Sequence, residues 1–590
     1  MQRYWSLALT HRSTIPAEAI EKRVSSRPSW RSALVCVCLA ATAVIAPMLF
    51  LGNVSGHDFR FHVESWMDVA GQWHEGIVFP RWAEWANWGF GEPRFIFYPP
   101  LSWLIGATIG SVLPWNMAPG TFVWLTLVLA GMSMCRFARE WIPHPYANLA
   151  GVLYAINPYH LVIVYFRSAF GELLAAALLP LLIWAALRVI EGEGRRVPIL
   201  SLVFAGIWLS NAPGAVIATY SLAVILVTGY ALCRRSQPLR AGAAAMAGGF
   251  ALASFYILPA TWEQRWIQIK QIVVATYRPS ANFLFTRAND PDFVAFNWKV
   301  SWVATGMILL GGIAALLTMK RRERSARPWW VLSILGLVST GLMLPPSTSL
   351  WRVLPKLWFL QFPWRWLEVV GVAFAFFVAL AIATLPNRAA QWVAATTILA
   401  AIGVAGAAML SQAPWDSGDV AQINAWIRDG RGYEGTDEYA PIGCDRYQLP
   451  GDPDDSERPA DVSPDPAPRI AKVDSETGMI VPAAGVRLHV ETWKSTQRVF
   501  TSETRQPLTL ALRLVQYPAW DIQINGQAEH ESMPETQQVV IPLSAGSSRV
   551  QIRFRQRWDR TIGDVISLLA AIILGGIAST YHRRALATPS

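Results

Sequence analysis

The chain of 590 residues is 53% hydrophobic and only 15% charged, whereas an average soluble domain carries roughly 25% charged residues. Together with repeated apolar runs of about 15 to 21 residues, this composition excludes an ordinary soluble protein and predicts a polytopic membrane protein. The net charge of +10 does not indicate nucleic-acid binding, because the basic residues cluster in short loops between apolar runs, as the positive-inside bias explains.

The cysteines and the N-terminal residues further limit the class of membrane protein. Of five cysteines, only Cys444 lies in a polar region, so we predict neither a disulfide framework nor a cysteine-based metal site. Residues 1–31 are basic and too polar for a cleavable signal. We therefore expect a cytoplasmic tail followed by a first span that acts as a signal anchor.

The apolar runs determine the predicted topology. They lie at about residues 32–52, 101–115, 119–138, 148–165, 171–190, 197–211, 213–232, 241–260, 300–319, 329–344, 367–385, 390–410 and 562–581. If all of them crossed the membrane, the basic loops could not all be cytoplasmic. Residues 99–116 open with two prolines and are broken by two glycines and a third proline, so we predict that they are re-entrant or lie along the outer interface as juxtamembrane helices. About twelve spans remain, with both termini cytoplasmic.

This topology divides the chain into parts. They are a cytoplasmic tail (1–31), a transmembrane domain (32–410) whose first outer loop (53–118) holds juxtamembrane helices, an extracytoplasmic domain (411–561), a final helix (562–581) and a second tail (582–590). The first half of the extracytoplasmic domain is acidic and rich in proline and glycine, which is typical of loops.

In the second half of the extracytoplasmic domain, apolar and polar residues alternate over short stretches, as in β-strands. The predicted strands are 486–493, 497–502, 508–515, 520–525, 538–542 and 549–555. The Asn525-Gly526 pair is a strong signal for a two-residue hairpin. We therefore predict a small antiparallel β-sandwich.

A charged cluster follows the first span at residues 56–64, with the sequence Gly-His-Asp-Phe-Arg-Phe-His-Val-Glu. Charges against a bilayer face cost free energy, which favours a function for them. Asp58 is the candidate to deprotonate or orient an acceptor, and His57 and His62 are candidates to bind phosphate, to tune that carboxylate or to hold a metal. The alternative is an ordinary solvated loop, which leaves the interleaved aromatic residues unexplained.

Several arginines are candidates for phosphate recognition, because the planar guanidinium matches phosphate geometry. Arg81 and Arg94 lie in the first loop, and Arg365 lies between two tryptophans before the span at 367. The alternative is that each arginine, like its aromatic neighbours, only stabilises an interfacial helix. We include Tyr98, in the tail of the first loop, as a further substrate-binding candidate.

Arg167 and Glu172 flank the predicted outer turn at 166–170. An isolated carboxylate at membrane depth is disfavoured, so we expect the two side chains to pair. Either they form a structural ion pair, or Glu172 is a second acidic group near Asp58 and Arg167 binds donor phosphate. Glu263, after a later span, is predicted to lie in a solvated loop.

Common catalytic motifs are missing from the sequence. It contains no P-loop, no G-x-S-x-G elbow, no G-x-G-x-x-G after a strand and no H-E-x-x-H, so nucleotide-driven and serine-hydrolase activities find no support. No two repeated halves stand out either, which disfavours a secondary transporter.

Four motifs of the first loop resemble a known family. They are Gly56-His57-Asp58-x-x-Phe61-His62, Pro80-Arg81-Trp82, Gly89-Phe90-Gly91-x-Pro93 and Phe97-Tyr98-Pro99-Pro100-Leu101. They resemble a bacterial membrane-protein family labelled "6-pyruvoyl-tetrahydropterin synthase-related", although nothing here supplies the three-histidine zinc site of pterin synthase. The layout is similar to the GT-C superfamily of polyprenyl-phosphate-dependent glycosyltransferases.

The GT-C resemblance implies roles for two acidic residues. In those enzymes the first outer loop carries a catalytic acid just after the first span, and a second acid commonly opens the fourth span. The matching positions are Asp58 and Glu172. The tail motifs Gly435-Thr436-Asp437-Glu438-Tyr439-x-Pro441 and Tyr517-Pro518-x-Trp520 look like the outer domain of YfhO-type membrane proteins.

We therefore predict an all-α polytopic protein of the bacterial inner membrane with an outer β-sandwich. It would move a sugar from a polyprenyl-phosphate-linked donor to a glycan or envelope acceptor on the extracytoplasmic face. Membrane lipid is an expected partner and nucleic acid is not. No cofactor is required, because arginines can stabilise a leaving phosphate, although a divalent metal stays an alternative. The alternative function is a non-enzymatic lipid or polysaccharide exporter, or a glycan-binding scaffold.

Overall fold

The computed structural model describes residues 30–319, 326–451, 467–474 and 479–587. The longer α-helices are Trp30–Ile45, Phe59–His74, Pro100–Val112, Ala118–Ala138, Tyr146–Ala155, Phe170–Ile190, Val197–Ser210, Ala212–Cys233, Gln237–Leu252, Ser254–Glu263, Pro291–Thr318, Ala326–Leu342, Leu367–Ala383, Arg388–Leu410, Asp419–Arg428 and Trp558–Ala587. The shorter ones are Met48–Leu51, Ala86–Gly89, Arg94–Phe97, Pro158–Val162 and Thr348–Val353, and a π-helical turn spans Ile163–Arg167. Most of the predicted N-terminal tail and much of the acidic stretch lie outside the described residues.

The predicted polytopic membrane architecture is confirmed. Within the described ranges, nine helices are long and apolar enough to cross a membrane, or up to eleven if each of two bent helix pairs forms one span. The pairs bend by 73° after Leu252 and by 88° after Leu342. The remaining predicted span is the helix Val197–Ser210, whose 14 residues reach about 21 Å at 1.5 Å per residue, less than a hydrocarbon core of roughly 30 Å.

The apolar run at 99–116 forms a short helix, as predicted, because it is too short to cross. Pro100 occupies the first turn of Pro100–Val112, where its missing N–H costs nothing. The helix packs on Phe59–His74 through Gly106, where an added Cβ atom would lie 2.1 Å from the Trp66 indole. The two longer helices of the first loop are therefore packed against each other.

The C-terminal strands form two antiparallel five-stranded sheets. In spatial order, one sheet contains Glu531–Ser532, Gln538–Leu543, Leu508–Val515, Ile470–Val473 and Ile480–Pro482, and the other contains Arg487–Lys494, Gln497–Thr504, Gly546–Phe554, Trp520–Ile524 and Gln527–Ala528. Both sheets contribute to one apolar core, which confirms the β-sandwich. The predicted hairpin is also confirmed, because Asn525 and Gly526 both have positive φ, 50° and 86°, as a type I′ turn requires. A separate two-stranded ladder pairs Asn53–Val54 with Trp415–Asp416.

The first loop and the sandwich share this apolar core. Trp82 of the loop is fully buried, and its ring centroid lies 5.3 Å from that of Trp520 and 5.9 Å from that of Tyr517. Two regions that are separate in sequence thus pack as one body, and the sandwich holds the loop in place.

A buried ion pair joins the last helix to the bent helix pair. Arg560 donates to both carboxylate oxygens of Glu263, at 2.8 and 2.9 Å, and the Tyr517 hydroxyl donates to the same carboxylate at 2.6 Å. Glu263 is fully buried, so the prediction of a solvated loop is wrong. The buried charge of Glu263 is tolerated because the Arg560 guanidinium pairs with both of its oxygens. Arg560 lies on the last helix, 297 positions away in sequence.

We expect the substitution Arg560→Met to lower the free energy of unfolding by about 3–5 kcal/mol, because it leaves a buried carboxylate without a counterion. The double variant Glu263→Gln/Arg560→Met should recover most of this loss, since an amide needs no counterion and still accepts from Tyr517. Thermal unfolding in detergent measures both. Arg549→Met, in an exposed pair with Glu491, is the matched control and should leave the midpoint unchanged. Equal losses in the single and double variants would contradict the explanation.

Candidate active site

Backbone hydrogen bonds place the turn after the first span against the turn before Glu172. The Asp58 N–H donates to the Arg167 carbonyl at 2.8 Å, and the His57 N–H donates to the Phe166 carbonyl at 3.3 Å. Gly56 permits this approach, because an added Cβ atom would lie 2.6 Å from the Phe166 carbonyl oxygen. Asp58 and Arg167 are therefore neighbours, although 109 positions separate them.

One buried carboxylate joins two arginines at this point. Glu172 Oε2 accepts hydrogen bonds from Arg167 Nη1 and, at 3.1 Å, from Arg365 Nε, and Oε1 accepts from the Tyr159 hydroxyl at 2.5 Å. Arg167 Nη2 also contacts Asp58 Oδ2, at 3.4 Å. The side chains of Glu172, Arg167 and Arg365 are only 2%, 3% and 8% exposed. Because water is excluded, the arrangement of these charges is set by the protein and not by solvent.

Asp58 differs from this group in its exposure. Its side chain is 41% exposed, although it lies in contact with the buried Arg167. It occupies the N-cap position of the helix Phe59–His74 but makes no capping hydrogen bond, whereas aspartate at this position usually caps the helix. The Asp58 carboxylate is therefore available to a ligand.

These residues line a cavity of about 610 Å³, which is within the size range of small-molecule sites. Six of the nine predicted site residues line it: His57, Asp58, Tyr98, Arg167, Glu172 and Arg365. They come from the first loop, the π-helical turn, the start of the helix Phe170–Ile190 and the 3-10 turn Pro363–Trp366. The cavity thus combines exposed and buried charges from four separate elements.

His57 and Tyr98 present uncharged polar groups to the cavity. Burial lowers the pKa of His57, and the nearby Arg167 guanidinium lowers it further, while Asp58 raises it. Burial also raises the pKa of Tyr98, to which Asp58 adds, so its hydroxyl keeps the proton. Gly171 makes room for this hydroxyl, because an added Cβ atom would lie 2.9 Å from it.

The other predicted histidine lies away from the cavity. His62 is 2% exposed, and its ring centroid lies 5.1 Å from Phe170 and 5.7 Å from Tyr98. Burial lowers its pKa to about 4. It therefore acts as a neutral packing residue, because its ring lies in the aromatic core and does not line the cavity.

Arg94 and Arg81 also lie elsewhere, because each finds a partner away from the cavity. Arg94 Nε donates to Glu92 at 2.6 Å in a pair that is almost fully buried. Arg81 Nη2 donates to the Phe255 carbonyl at 3.3 Å and lies 4.0 Å from Asp564. The phosphate-binding role predicted for these two arginines has no geometric support.

The histidines do not converge on a metal site. Within the described parts of the chain, no group of three or more His, Cys, Asp or Glu side chains is arranged to hold a metal ion. The His57 ring packs against Phe296, with centroids 5.0 Å apart, while His62 points into the aromatic core.

Comparison with known proteins identifies the family. The family model described as "6-pyruvoyl-tetrahydropterin synthase related domain; membrane protein" matches residues 95–413, more than half of the 590 residues. The chain belongs to this family. A search of the curated proteins finds no match.

Several solved structures are similar to that of this family member. The arabinofuranosyltransferase AftD from Mycobacteria is 17% identical, with a TM-score of 0.43, and the match covers 67% of this chain and 27% of AftD. The archaeal oligosaccharyltransferase AglB from Archaeoglobus fulgidus, solved with an inhibitory peptide and a dolichol-phosphate, is 14% identical, with a TM-score of 0.38 and coverage of 67% and 56%. ArnT from Cupriavidus metallidurans, solved with undecaprenyl phosphate, is 13% identical, with a TM-score of 0.30 and coverage of 69% and 90%. The match thus spans less than two thirds of the length of AftD and of AglB.

A further part of the cavity lining in this family member was not predicted from the sequence. It includes Asp292, Asn282, Tyr277 and Glu438. Burial raises the pKa of Glu438 to about 7. Residues 436–439 were used above only for a family resemblance. Their acidic and aromatic residues, close to a glycine and a proline, were the signal in the sequence that could have indicated a binding site. Asp292 gave none, because an acid in the first turn of a helix is ordinary.

We expect Glu172→Gln to lower the free energy of unfolding by about 3–5 kcal/mol, because it removes the counterion between two buried guanidinium groups. Thermal unfolding in detergent measures the loss. Glu434→Gln is the matched control, because Glu434 is 62% exposed in its pair with Arg446 and such surface pairs contribute about 0–1 kcal/mol. Equal small losses in both variants would show that the arginines do not depend on Glu172.

We expect His62 to make the fold sensitive to acid. Its pKa falls from 6.5 to about 4 on folding, so the unfolded chain takes up a proton first as the pH falls. The resulting loss of stability begins near pH 6.5, reaches about 3 kcal/mol near pH 4 and is absent above pH 7. His62→Phe should flatten this part of the unfolding profile, whereas His489→Phe, on an exposed strand position, should not. Parallel profiles for the wild type and His62→Phe would contradict the assignment.

Proposed function

We propose that this protein is a membrane glycosyltransferase that moves a sugar from a polyprenyl-phosphate-linked donor to a cell-envelope acceptor on the extracytoplasmic face. One observation carries the proposal: a single cavity holds the exposed carboxylate of Asp58 3.4 Å from Arg167, which Glu172 holds beside Arg365. Transfer from a lipid phosphate needs these two functions together, a proton acceptor and fixed positive charge.

The arginines supply the anion-binding side of the proposed site. Among the described residues, neither Arg167 Nε nor Arg365 Nη2 donates to a protein acceptor, so both remain available to phosphate oxygens. Arg365 is also held by the Leu360 carbonyl at 2.7 Å and by Gln361 at 3.1 Å. Guanidinium groups fixed in this way need no reorganisation when charge develops on the leaving phosphate.

The proposed step is a displacement at C1 of the donor sugar. The acceptor hydroxyl oxygen forms the new bond to C1, the bond from C1 to the phosphate oxygen breaks, and the bonding electrons leave with polyprenyl phosphate. The hydroxyl proton moves to Asp58. As Asp58 loses its negative charge, Arg167 is left with more uncompensated positive charge to pair with the leaving phosphate.

The remaining features of the proposal follow from this step. The donor is a membrane lipid, so the enzyme would lie in the bacterial plasma membrane with the cavity at the outer face and both termini in the cytoplasm. The acceptor would be a glycan or another envelope component. The proposal requires no metal, because the arginine pair provides the charge neutralisation.

We expect Asp58→Asn to reduce sugar transfer by about 10²- to 10⁴-fold, the usual contribution of a positioned general base. Release of polyprenyl phosphate from a panel of polyprenyl-phosphate-linked hexoses and pentoses measures the reaction in membranes. Asp429→Asn is the matched control, because that carboxylate lies on the surface, 53% exposed, and its ion pair within the described residues is with Arg428. It should keep wild-type transfer.

The outcome also separates the rival functions. Transfer by Asp58→Asn at the wild-type rate, with normal membrane levels, would overturn the role of Asp58. A wild-type protein that binds glycan but releases no polyprenyl phosphate from any donor would instead be a scaffold, and one that moves intact lipid-linked glycan across vesicles would be an exporter.

A further inference from the structure

The segment of residues 433–444, which includes the 3-10 turn Asp437–Tyr439, connects the first loop to residues 266–268. On the loop side, the Tyr433 N–H donates to the Trp85 carbonyl at 2.8 Å, and its hydroxyl donates to Asp68 Oδ2 at 2.8 Å. Tyr433 is fully buried. The start of the segment is therefore held by both its backbone and its side chain.

The buried pair of Arg94 and Glu92 holds the next part of the segment. The Thr436 N–H donates to Glu92 Oε2 at 2.9 Å, and its hydroxyl contacts Glu92 Oε1 at 3.3 Å. Gly435 lies so close to Asn87 that an added Cβ atom would meet its Oδ1 at 1.8 Å. Arg94, which does not reach the cavity, thus acts on it indirectly by fixing Glu92 under the segment.

The far end of the segment pairs with a different element. The Gln268 N–H donates to the Ala440 carbonyl at 2.9 Å, and the Ile442 N–H donates to the Trp266 carbonyl at 3.0 Å. The Gln268 side chain also donates to the Cys444 carbonyl at 2.7 Å. The residues between Thr436 and Ala440 are therefore fixed on both sides.

Between these fixed points, only one of two adjacent carboxylates faces the cavity. Asp437 pairs with Arg446 and is 46% exposed, whereas Glu438 lines the cavity. No hydrogen bond from another described side chain reaches the Glu438 carboxylate. Apart from a hydrogen bond with its own backbone, the Glu438 carboxylate is thus a positioned acceptor group that faces the cavity.

Glu438 and Asp58 both act on the side chain of Tyr277, which also lines the cavity. Burial is the first cause of the raised pKa of Tyr277, and the charges of Glu438 and Asp58 add to it. Phe293 and Tyr439 also line the cavity, and Asp292 adds a second carboxylate. Aromatic faces and carboxylates suit sugar rings, because apolar C–H faces pack on the rings and hydroxyls donate to the carboxylates.

We infer that Glu438 accepts hydrogen bonds from hydroxyls of the acceptor sugar, so that this one carboxylate of the segment selects an uncharged, polyhydroxylated acceptor. The inference rests on the proposed function and extends it to the acceptor. In the displacement step, the proton still goes to Asp58 and Glu438 forms no covalent bond. At pH 8, above the raised pKa of Glu438, an acidic acceptor would be rejected, because Glu438 and Asp292 place like charge against it.

The kinetic test separates acceptor binding from donor chemistry. At pH 8, where the Glu438 carboxyl is largely ionised because its pKa is about 7, Glu438→Gln should raise the acceptor KM by about 10- to 100-fold, which corresponds to one hydrogen bond to a charged group. Hydrolysis of the polyprenyl-phosphate-linked donor by water, without acceptor, should stay within about twofold of the wild-type rate because the arginine side is untouched. Asp437→Asn, the adjacent carboxylate on the same segment, is the matched control and should leave both rates unchanged. Parallel losses of transfer and donor hydrolysis in Glu438→Gln would overturn the inference.

A binding test separates the inference from the proposed reaction. Tryptophan fluorescence of the full chain in detergent, titrated with neutral gluco-, manno- and arabino-oligosaccharides and with an oligogalacturonate, should show saturable binding of a neutral sugar only. Glu438→Gln should weaken that binding at least tenfold and relieve the rejection of the oligogalacturonate. Suppose that Glu438→Gln loses neutral-sugar binding and that the wild type does not turn over any donor. This result would support the role of Glu438 but overturn the proposed reaction. Absence of neutral-sugar binding by the wild type, or equal binding by Glu438→Gln, would overturn the inference.

Discussion

The site depends on the contact of Glu172 with Arg167 and Arg365. Burying one of these charges alone would cost several kcal/mol, so each requires the others. The carboxylate comes from the first turn of the helix Phe170–Ile190 and the second guanidinium from the turn Pro363–Trp366. The contact therefore sets the relative position of two helices that begin at the same face, and Asp58 is placed against it through backbone bonds to the 166–168 turn.

The β-sandwich takes part in the same construction. Trp82 packs in the core of the sandwich, and Arg513 of the sandwich is buried with its guanidinium on the carbonyl oxygens of Trp88, Gly430 and Arg431. The first loop thus has the membrane helices on one side and the β-sandwich on the other. Because both faces of the loop are packed, Asp58 and Glu438 lie on rigid walls of one cavity, and such rigidity is what a preorganised site needs.

Much of this could be predicted from the sequence, because the relevant signals are local. The lengths of the apolar runs and the distribution of basic loops predicted the membrane helices and the short helix at Pro100–Val112. A segment that crosses the bilayer must be apolar and must satisfy its own backbone hydrogen bonds, and both requirements are visible in the local sequence. The Asn525-Gly526 pair predicted its hairpin, because few residues adopt positive φ at two successive positions. Asp58, Arg167 and Glu172 stood out because ionisable groups next to apolar runs are costly and need a partner or a function.

Partner choice could not be predicted, because it depends on contacts between residues far apart in sequence. Arg81, Arg94 and Arg365 have the same side chain among similar aromatic neighbours, yet Glu92 neutralises one and Glu172 orients another. Only the tertiary structure decided that Glu263 is buried against Arg560 and that Glu438 faces the cavity while Asp437 does not. The sequence by itself determined which segments are apolar enough to cross a membrane and where charge is concentrated, since hydrophobicity and turn chemistry act locally. The identity of each charge's partner is a property of the packed chain.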